Sequence, residues 1–224
     1  MNNNVTTAIA QPNNKGKIKG SLLEKAVIEY KVEDENFYEG KIVVERLSEA
    51  NDILPFTISE KLVKAYNLSL EGGDKVCFLG ELRSYNKMID GKSRLILSFF
   101  VKEVLEVEES AEDINELTLV GFICKEPVFR TTPFNRQICD VLLAVNRTSF
   151  NKSDYIPCIL WGRNAKFIQN QKIGTKVCLT GRIQSRPYKK ELAGGQIEER
   201  VAYEVSCQRI EIVEKEGNEA QDLA

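Results

Sequence analysis

The sequence predicts an all-β chain of two tandem five-stranded barrels, each with one short helix, and three observations lead there. First, a phrase is written twice: "GDKVCFLGELRSYNK" (73–87) returns as "GTKVCLTGRIQSRPY" (174–188). At an offset of 101, Gly73, Lys75, Val76, Cys77, Gly80 and Ser84 meet Gly174, Lys176, Val177, Cys178, Gly181 and Ser185. Second, Gly20 meets Gly121 at the same offset, and Asp52 and Pro55 meet Asp154 and Pro157 at 102. Third, each half reads as short apolar runs separated by turn residues, with one stretch at helical spacing.

The elements follow in order. Residues 1–14 are polar, lack a basic segment followed by an apolar one, and are expected to form a disordered arm rather than a signal. The first unit spans 15–105. In it "KIVVERL" and "DILPFTIS" are strands, "EKLVKAYNL" a helix and "KVCFLGELRSY" a strand. "MIDGKS" is a hairpin turn through Asp90-Gly91, and "RLILSFFVKEVLEV" closes the unit. Residues 106–114 are acidic and suit a linker. The second unit spans 115–213. "NELTLVGFIC" alternates and carries Gly121 at a bend. "EPVFRTTPFNRQ" is a Pro-punctuated turn region, "ICDVLLAVNR" and "YIPCILWG" are strands, and "RNAKFIQNQK" is a short helix. "GTKVCLTGRIQSR" is a strand, "KKELAGGQIE" a hairpin tip and "RVAYEVSCQRIEIV" the closing strand. Residues 214–224 are expected as a flexible tail. Five strands with a helix between the third and fourth is the strand order of an OB-fold, a Greek-key barrel, so two tandem OB-folds are expected.

Composition narrows the function classes. The chain has 224 residues, 42% hydrophobic and 29% charged, with no apolar run near the roughly 20 residues that cross a bilayer. No membrane partner is expected. The absence of histidine excludes Ser-His-Asp and Cys-His nucleophilic sites and His-containing metal sites. The six cysteines form no C-x-x-C pair and sit among Val, Ile and Leu, which suits reduced core thiols and a cytoplasmic setting. No catalytic residue, metal or cofactor is expected.

Charge is unevenly placed. Residues 1–113 hold 15 Lys and Arg against 20 Asp and Glu, while 121–190 hold 13 against three. A basic segment inside a mildly acidic chain points to a polyanion. OB-folds bind single-stranded nucleic acid with a basic groove and aromatic platforms. The second unit supplies such parts. Trp161 and Tyr155 lie six residues apart on one strand, hence on one face. Phe150 sits in the preceding loop and Tyr188 begins the last hairpin. Arg130, Arg136, Arg147, Arg163, Arg182, Arg186, Lys189 and Lys190 surround them. A lone Trp in a strand is often core, so Trp161 has a packing alternative. The first unit offers weaker candidates, Arg83, Tyr85, Lys87, Lys92 and Arg94. It has Ser59 or Glu60, not an aromatic, where the second has Trp161.

These residues carry a resemblance. Over about 114–213 the chain resembles the bacterial single-stranded DNA-binding protein family. Asn115, Leu119, Gly121, Pro127 and Arg130 match its opening strand. Trp161-Gly162 matches the aromatic-Gly before its helix. Gly174, Val177, Gly181 and Arg186 match the strand that leads to its Arg-rich hairpin. The resemblance implies base stacking on Tyr155, Trp161 and Tyr188, with Phe150 near a fourth position. The whole chain looks like the double-OB members of clostridial type. The family's usual four-barrel assembly implies a homodimer, and replication, recombination or repair proteins as partners. The ending "EKEGNEAQDLA" lacks the family's aromatic tail tip. The alternative is a primosome-type OB protein that mainly docks helicase-loading factors. An RNA ligand remains compatible with a stacking surface.

Overall fold

The computed structural model describes residues 13–48, 50–89, 91–107, 112–148, 151–191 and 195–214. The first barrel is built from β1 (Asn14–Leu22), β2 (Val27–Val32), β3 (Glu35–Glu45), β4 (Asn51–Ser59), α1 (Glu60–Ala65), β5 (Lys75–Ile89) and β6 (Lys92–Leu105). The second repeats this as β7 (Ile114–Ile123), β8 (Val128–Thr131), β9 (Gln137–Asn146), β10 (Ser153–Trp161), α2 (Gly162–Ile168), β11 (Lys176–Glu191) and β12 (Ile197–Ile212). The strands run in the order β2-β3-β4-β6-β5-β1-β7-β11-β12-β10-β9-β8, and pairings of β1 with β3 and of β7 with β9 close the two barrels. Each barrel thus has one short edge strand more than expected. In "EPVFRTTPFNRQ", the β-forming Val128 and Phe129 follow Pro127 and pair with Cys139 and Asp140 before the turn begins.

Read from its centre outward, the strand order is the same in both directions, so the barrels are related by an approximate two-fold axis. The axis passes between β1 and β7, which pair antiparallel with Gly16 opposite Leu117 and Lys17 opposite Glu116. The repeated Gly80 and Gly181 share one reason. A Cβ there would lie 2.2 Å from the carbonyl oxygens of Phe100 and Ser206, and the ladder shifts register at both glycines.

The cores differ. Phe56, Phe78 and Phe99 fill the first, with Phe56 and Phe78 centred 5.3 Å apart. The strand position of Phe56, beside Phe99 in the parallel β4–β6 pair, is taken in the second barrel by Cys158, beside Val205. Close packing requires other atoms there. α2 supplies buried Ala165 and Ile168, whereas α1 buries none of its residues. All six cysteines are free thiols. Burial pushes Cys139 up to about 11 and Cys207 to about 12, so both stay protonated and unreactive.

The repeated Asp52 and Asp154 lock the seam between barrels. Asp52, almost fully buried, accepts from Arg46 Nε at 2.7 Å, from Arg182 Nη1 at 2.6 Å and from the Ser185 amide at 2.9 Å. Asp154 accepts from Arg147 Nε at 2.9 Å and Nη2 at 2.7 Å, and from the Ser84 amide at 2.6 Å. The hydroxyls of Ser185 and Ser84 accept in turn from the amides of Ile53 and Tyr155. Hydrogen bonds to charged groups stabilise by about 1.5–3 kcal/mol each. Ser84 and Ser185, repeated in the opening phrase, are therefore reciprocal bolts from each barrel into the other.

Candidate nucleic-acid interface

In the second barrel β10 buries Ile156, Cys158, Ile159 and Leu160 and leaves Tyr155 48% and Trp161 38% exposed. Tyr188, on the outer half of β11, is 36% exposed and pairs with Arg200 on β12. Trp161 also caps α2 without a side-chain hydrogen bond, whereas its counterpart Ser59 accepts from the Leu62 amide and caps α1. The second barrel thus sets an exposed indole where the first spends a side chain on its helix, at a typical cost of about 1 kcal/mol for a missing cap.

The cations around these rings fall into two groups. Among the described residues, Arg136, Arg163, Lys189 and Lys190 are exposed and make no ion pair. Arg130 pairs with Asp140 at 2.8 Å, and Arg186 with Glu204 at 3.3 Å. Arg147 and Arg182 are held by buried carboxylates, and Arg147 also lines the aromatic groove of the first barrel. They belong to the seam, where the buried Asp154 and Asp52 hold them. Burial pulls the Arg182 guanidinium below its ordinary value. The sequence concealed this because the partner of Arg182, Asp52, lies in the other unit. Phe150 lies outside the described residues.

The first barrel balances several of its lysines locally. Lys41, Lys61, Lys64 and Lys87 pair with Glu24, Glu35, Glu60 and Glu29 at 2.9–3.3 Å, and Lys25 pairs with Glu71. Such exposed pairs add little stability, but they cancel the field a polyanion would feel. Lys92 is exposed and Arg94 half-buried on β6. Arg83 is held by Glu81 at 2.9 Å and lies 3.7 Å over the Phe100 ring. Tyr85 is 39% exposed on β5.

Sequence reasoning missed an aromatic row here. Tyr30 stacks on Phe37 with centroids 5.1 Å apart and planes 10° from parallel, and Phe37 lies 6.1 Å from Phe100. The signal was present: Tyr30 and Phe37 face each other across the β2–β3 hairpin, as does Phe37 with Ser59 across β3–β4. In the second barrel the equivalent pair is Ile138 with Trp161. Each barrel therefore carries one aromatic residue at this cross-strand position, on opposite strands. An offset search along a single strand cannot see that.

An aromatic, cation-flanked face on a pair of OB barrels defines a class of proteins that bind nucleic-acid single strands. Comparison with known proteins is in line with this. The model of the "Single-strand binding protein family" matches residues 114–213, the second barrel. Single-stranded DNA-binding protein 3 of Streptococcus agalactiae is 34% identical over 114 residues, 48% of this chain and 80% of that protein. Single-stranded DNA-binding protein 1 of Streptococcus pyogenes is 33% identical over 113 residues, 48% and 84% respectively. Single-stranded DNA-binding protein A of Bacillus subtilis is 37% identical over 84 residues, and the match spans 49% of it. The wild-type single-stranded DNA-binding protein of Thermus aquaticus superposes with a TM-score of 0.72 over 95% of this chain and 98% of that one, at 16% identity, which shows the fold of both barrels to be shared. The chain belongs to the single-strand binding protein family.

Proposed function

We propose that the protein binds single-stranded DNA without catalysis and with little dependence on sequence, chiefly through the second barrel. The observation that carries this is the exposure of Tyr155, Trp161 and Tyr188 on a surface whose neighbouring Arg136, Arg163, Lys189 and Lys190 are free of ion pairs among the described residues. Each base stacked on such a ring contributes ~1–3 kcal/mol, and every base has a face to stack. Arg130 and Arg186 add charge at the edges. The first barrel, 15–105, contributes Arg83, Tyr85, Lys87, Lys92 and Arg94 more weakly. An acidic linker, 106–114, joins it to the second barrel, 115–213. A homodimer would present four barrels to one strand. The setting is the bacterial cytoplasm, in replication, recombination or repair. Among the described residues no helix is long and apolar enough to cross a membrane.

Fluorescence anisotropy with labelled oligo-dT, oligo-U and a duplex of equal length tests this. Oligo-dT should bind most tightly, and its affinity should fall steeply with salt as counterions cease to be released. Equal or tighter binding of the duplex would sink the proposal.

A further inference from the structure

The first barrel carries a groove of about 450 Å³ lined by Tyr30, Tyr85, Phe100, Arg83, Glu29 and Glu39. Aromatic walls and a guanidinium packed on Phe100 suit a flat, unsaturated ligand. Lys87 and Arg147 also line it, but Glu29 holds Lys87 at 3.0 Å, Asp154 holds Arg147 at 2.7 Å and Glu81 holds Arg83 at 2.9 Å. The second barrel shows what is unusual. There Asp140 occupies the place of Glu39, and Arg130, in the place of Tyr30, closes on it with Nε and Nη2, at 2.8 and 3.3 Å. In the first barrel a tyrosine ring replaces that arginine. Glu29 is taken by Lys87 at 3.0 Å, and Glu39 makes no ion pair among the described residues. Glu39 is half-buried, with the Tyr85 hydroxyl beside it. A carboxylate has about four acceptor sites; the Tyr85 hydroxyl takes one, which leaves both oxygens able to accept beside the aromatic rings.

Base chemistry decides what fits. Thymine offers one N–H between two carbonyl oxygens, which a carboxylate repels. Cytosine and adenine offer an amino group beside an acceptor nitrogen. Guanine alone presents two donors side by side, N1–H and N2–H, at the spacing of the two oxygens of a carboxylate. We infer that the first barrel's groove is a slot for an unpaired guanine base, stacked among Tyr30, Tyr85 and Arg83 and read by Glu39. This rests on the single-strand reading for strand-borne guanine, and a free guanine nucleotide offers the same base edge. The barrels then divide the work: the second grips any strand and the first adds a base preference.

The test compares labelled oligo-dT with strands of equal length carrying well-separated dG, or deoxyinosine at the same places, and adds GMP against IMP while the Tyr30 and Tyr85 ring signals are followed by NMR. The dG strand should bind roughly fivefold tighter than oligo-dT, the low end of what a good bidentate base contact discriminates. Inosine, which lacks the N2 amino group, should lose most of that gain. Glu39→Gln, with its fold checked by circular dichroism, should bring the dG to dT ratio near one. Trp161→Ala should weaken both strands and keep the ratio. A strand ratio of one combined with GMP-specific shifts that Glu39→Gln abolishes would support the slot with the free nucleotide as its ligand. A ratio of one without any GMP response, or a preference that Glu39→Gln leaves intact, would overturn it. Failure of oligo-dT itself to bind would instead defeat the proposed function, and the GMP arm would still decide the groove.

Discussion

The two barrels share a backbone and a seam but spend their charges differently. In the first, Lys25, Lys41, Lys61, Lys64 and Lys87 answer glutamates within ion-pair distance, and Arg83 rests between Glu81 and Phe100. In the second, Arg136, Arg163, Lys189 and Lys190 make no ion pair among the described residues and accompany exposed rings. The repeated residues hold the two copies together, and the residues that diverged carry the chemistry. A duplication joined by Asp52, Asp154, Ser84 and Ser185 leaves the outer faces free to change.

The largest expected effect lies where the barrels are alike. Removing one partner of a buried ion pair typically costs about 3–5 kcal/mol, because the other charge is left unpaired. The arginines here are partly exposed, so about 3 kcal/mol is expected for Asp154→Ala in urea unfolding. Asp52→Ala should cost more, since Arg46 and Arg182 both close on it. Equal costs would show the two halves of the seam to be equivalent after all.

Next comes the exchange at the helix starts. Trp161→Ser should weaken oligo-dT binding roughly tenfold, within the range for one stacked base, while thermal stability holds or rises. The reciprocal Ser59→Trp should lose about 1 kcal/mol of stability with the cap and gain affinity. Should Trp161→Ser unfold the protein without lowering affinity per folded molecule, the indole is packing rather than platform. The hairpins give a smaller contrast. Lys189→Ala and Lys190→Ala should each lower the slope of log affinity against log salt by roughly 0.7, the value per phosphate contact on a single strand. Lys87→Ala, whose ammonium Glu29 already occupies, should change it less.

The smallest effect concerns Glu39. Burial, and then the nearby Glu29, raise its proton affinity above the ordinary carboxylate value. The folded protein therefore holds this proton more tightly than the unfolded chain, and stability falls as pH rises through that range. Glu39→Gln should accordingly melt slightly higher than the parent at pH 7. The difference should vanish at a pH below the ordinary carboxylate range, where both states are protonated. A difference that grows toward acid would contradict the assignment.

Much of the fold was legible because it repeats. The duplicated Gly80 and Gly181 and the helical spacing after β10 led to two barrels. The helices came out shorter than read, at Glu60–Ala65 and Gly162–Ile168. The exposed rings of Tyr155 and Trp161 were legible from their even spacing, which sorts residues onto one face of a strand, and that of Tyr188 from its place at the start of the last hairpin. What the sequence hid was long-range pairing. Arg147 and Arg182 look like any basic residue until the fold brings Ser84 and Asp52 to them. The row Tyr30, Phe37 and Phe100 draws on three strands, β2, β3 and β6. No linear motif encodes a cross-strand stack.

The second barrel should carry most of the grip on a single strand. Anisotropy titration of labelled oligo-dT against Trp161→Ala and Tyr85→Ala, side by side at one salt concentration, tests it most directly. Trp161→Ala should lose roughly tenfold in affinity and Tyr85→Ala clearly less, with both proteins folded. An equal or larger loss from Tyr85→Ala would contradict it.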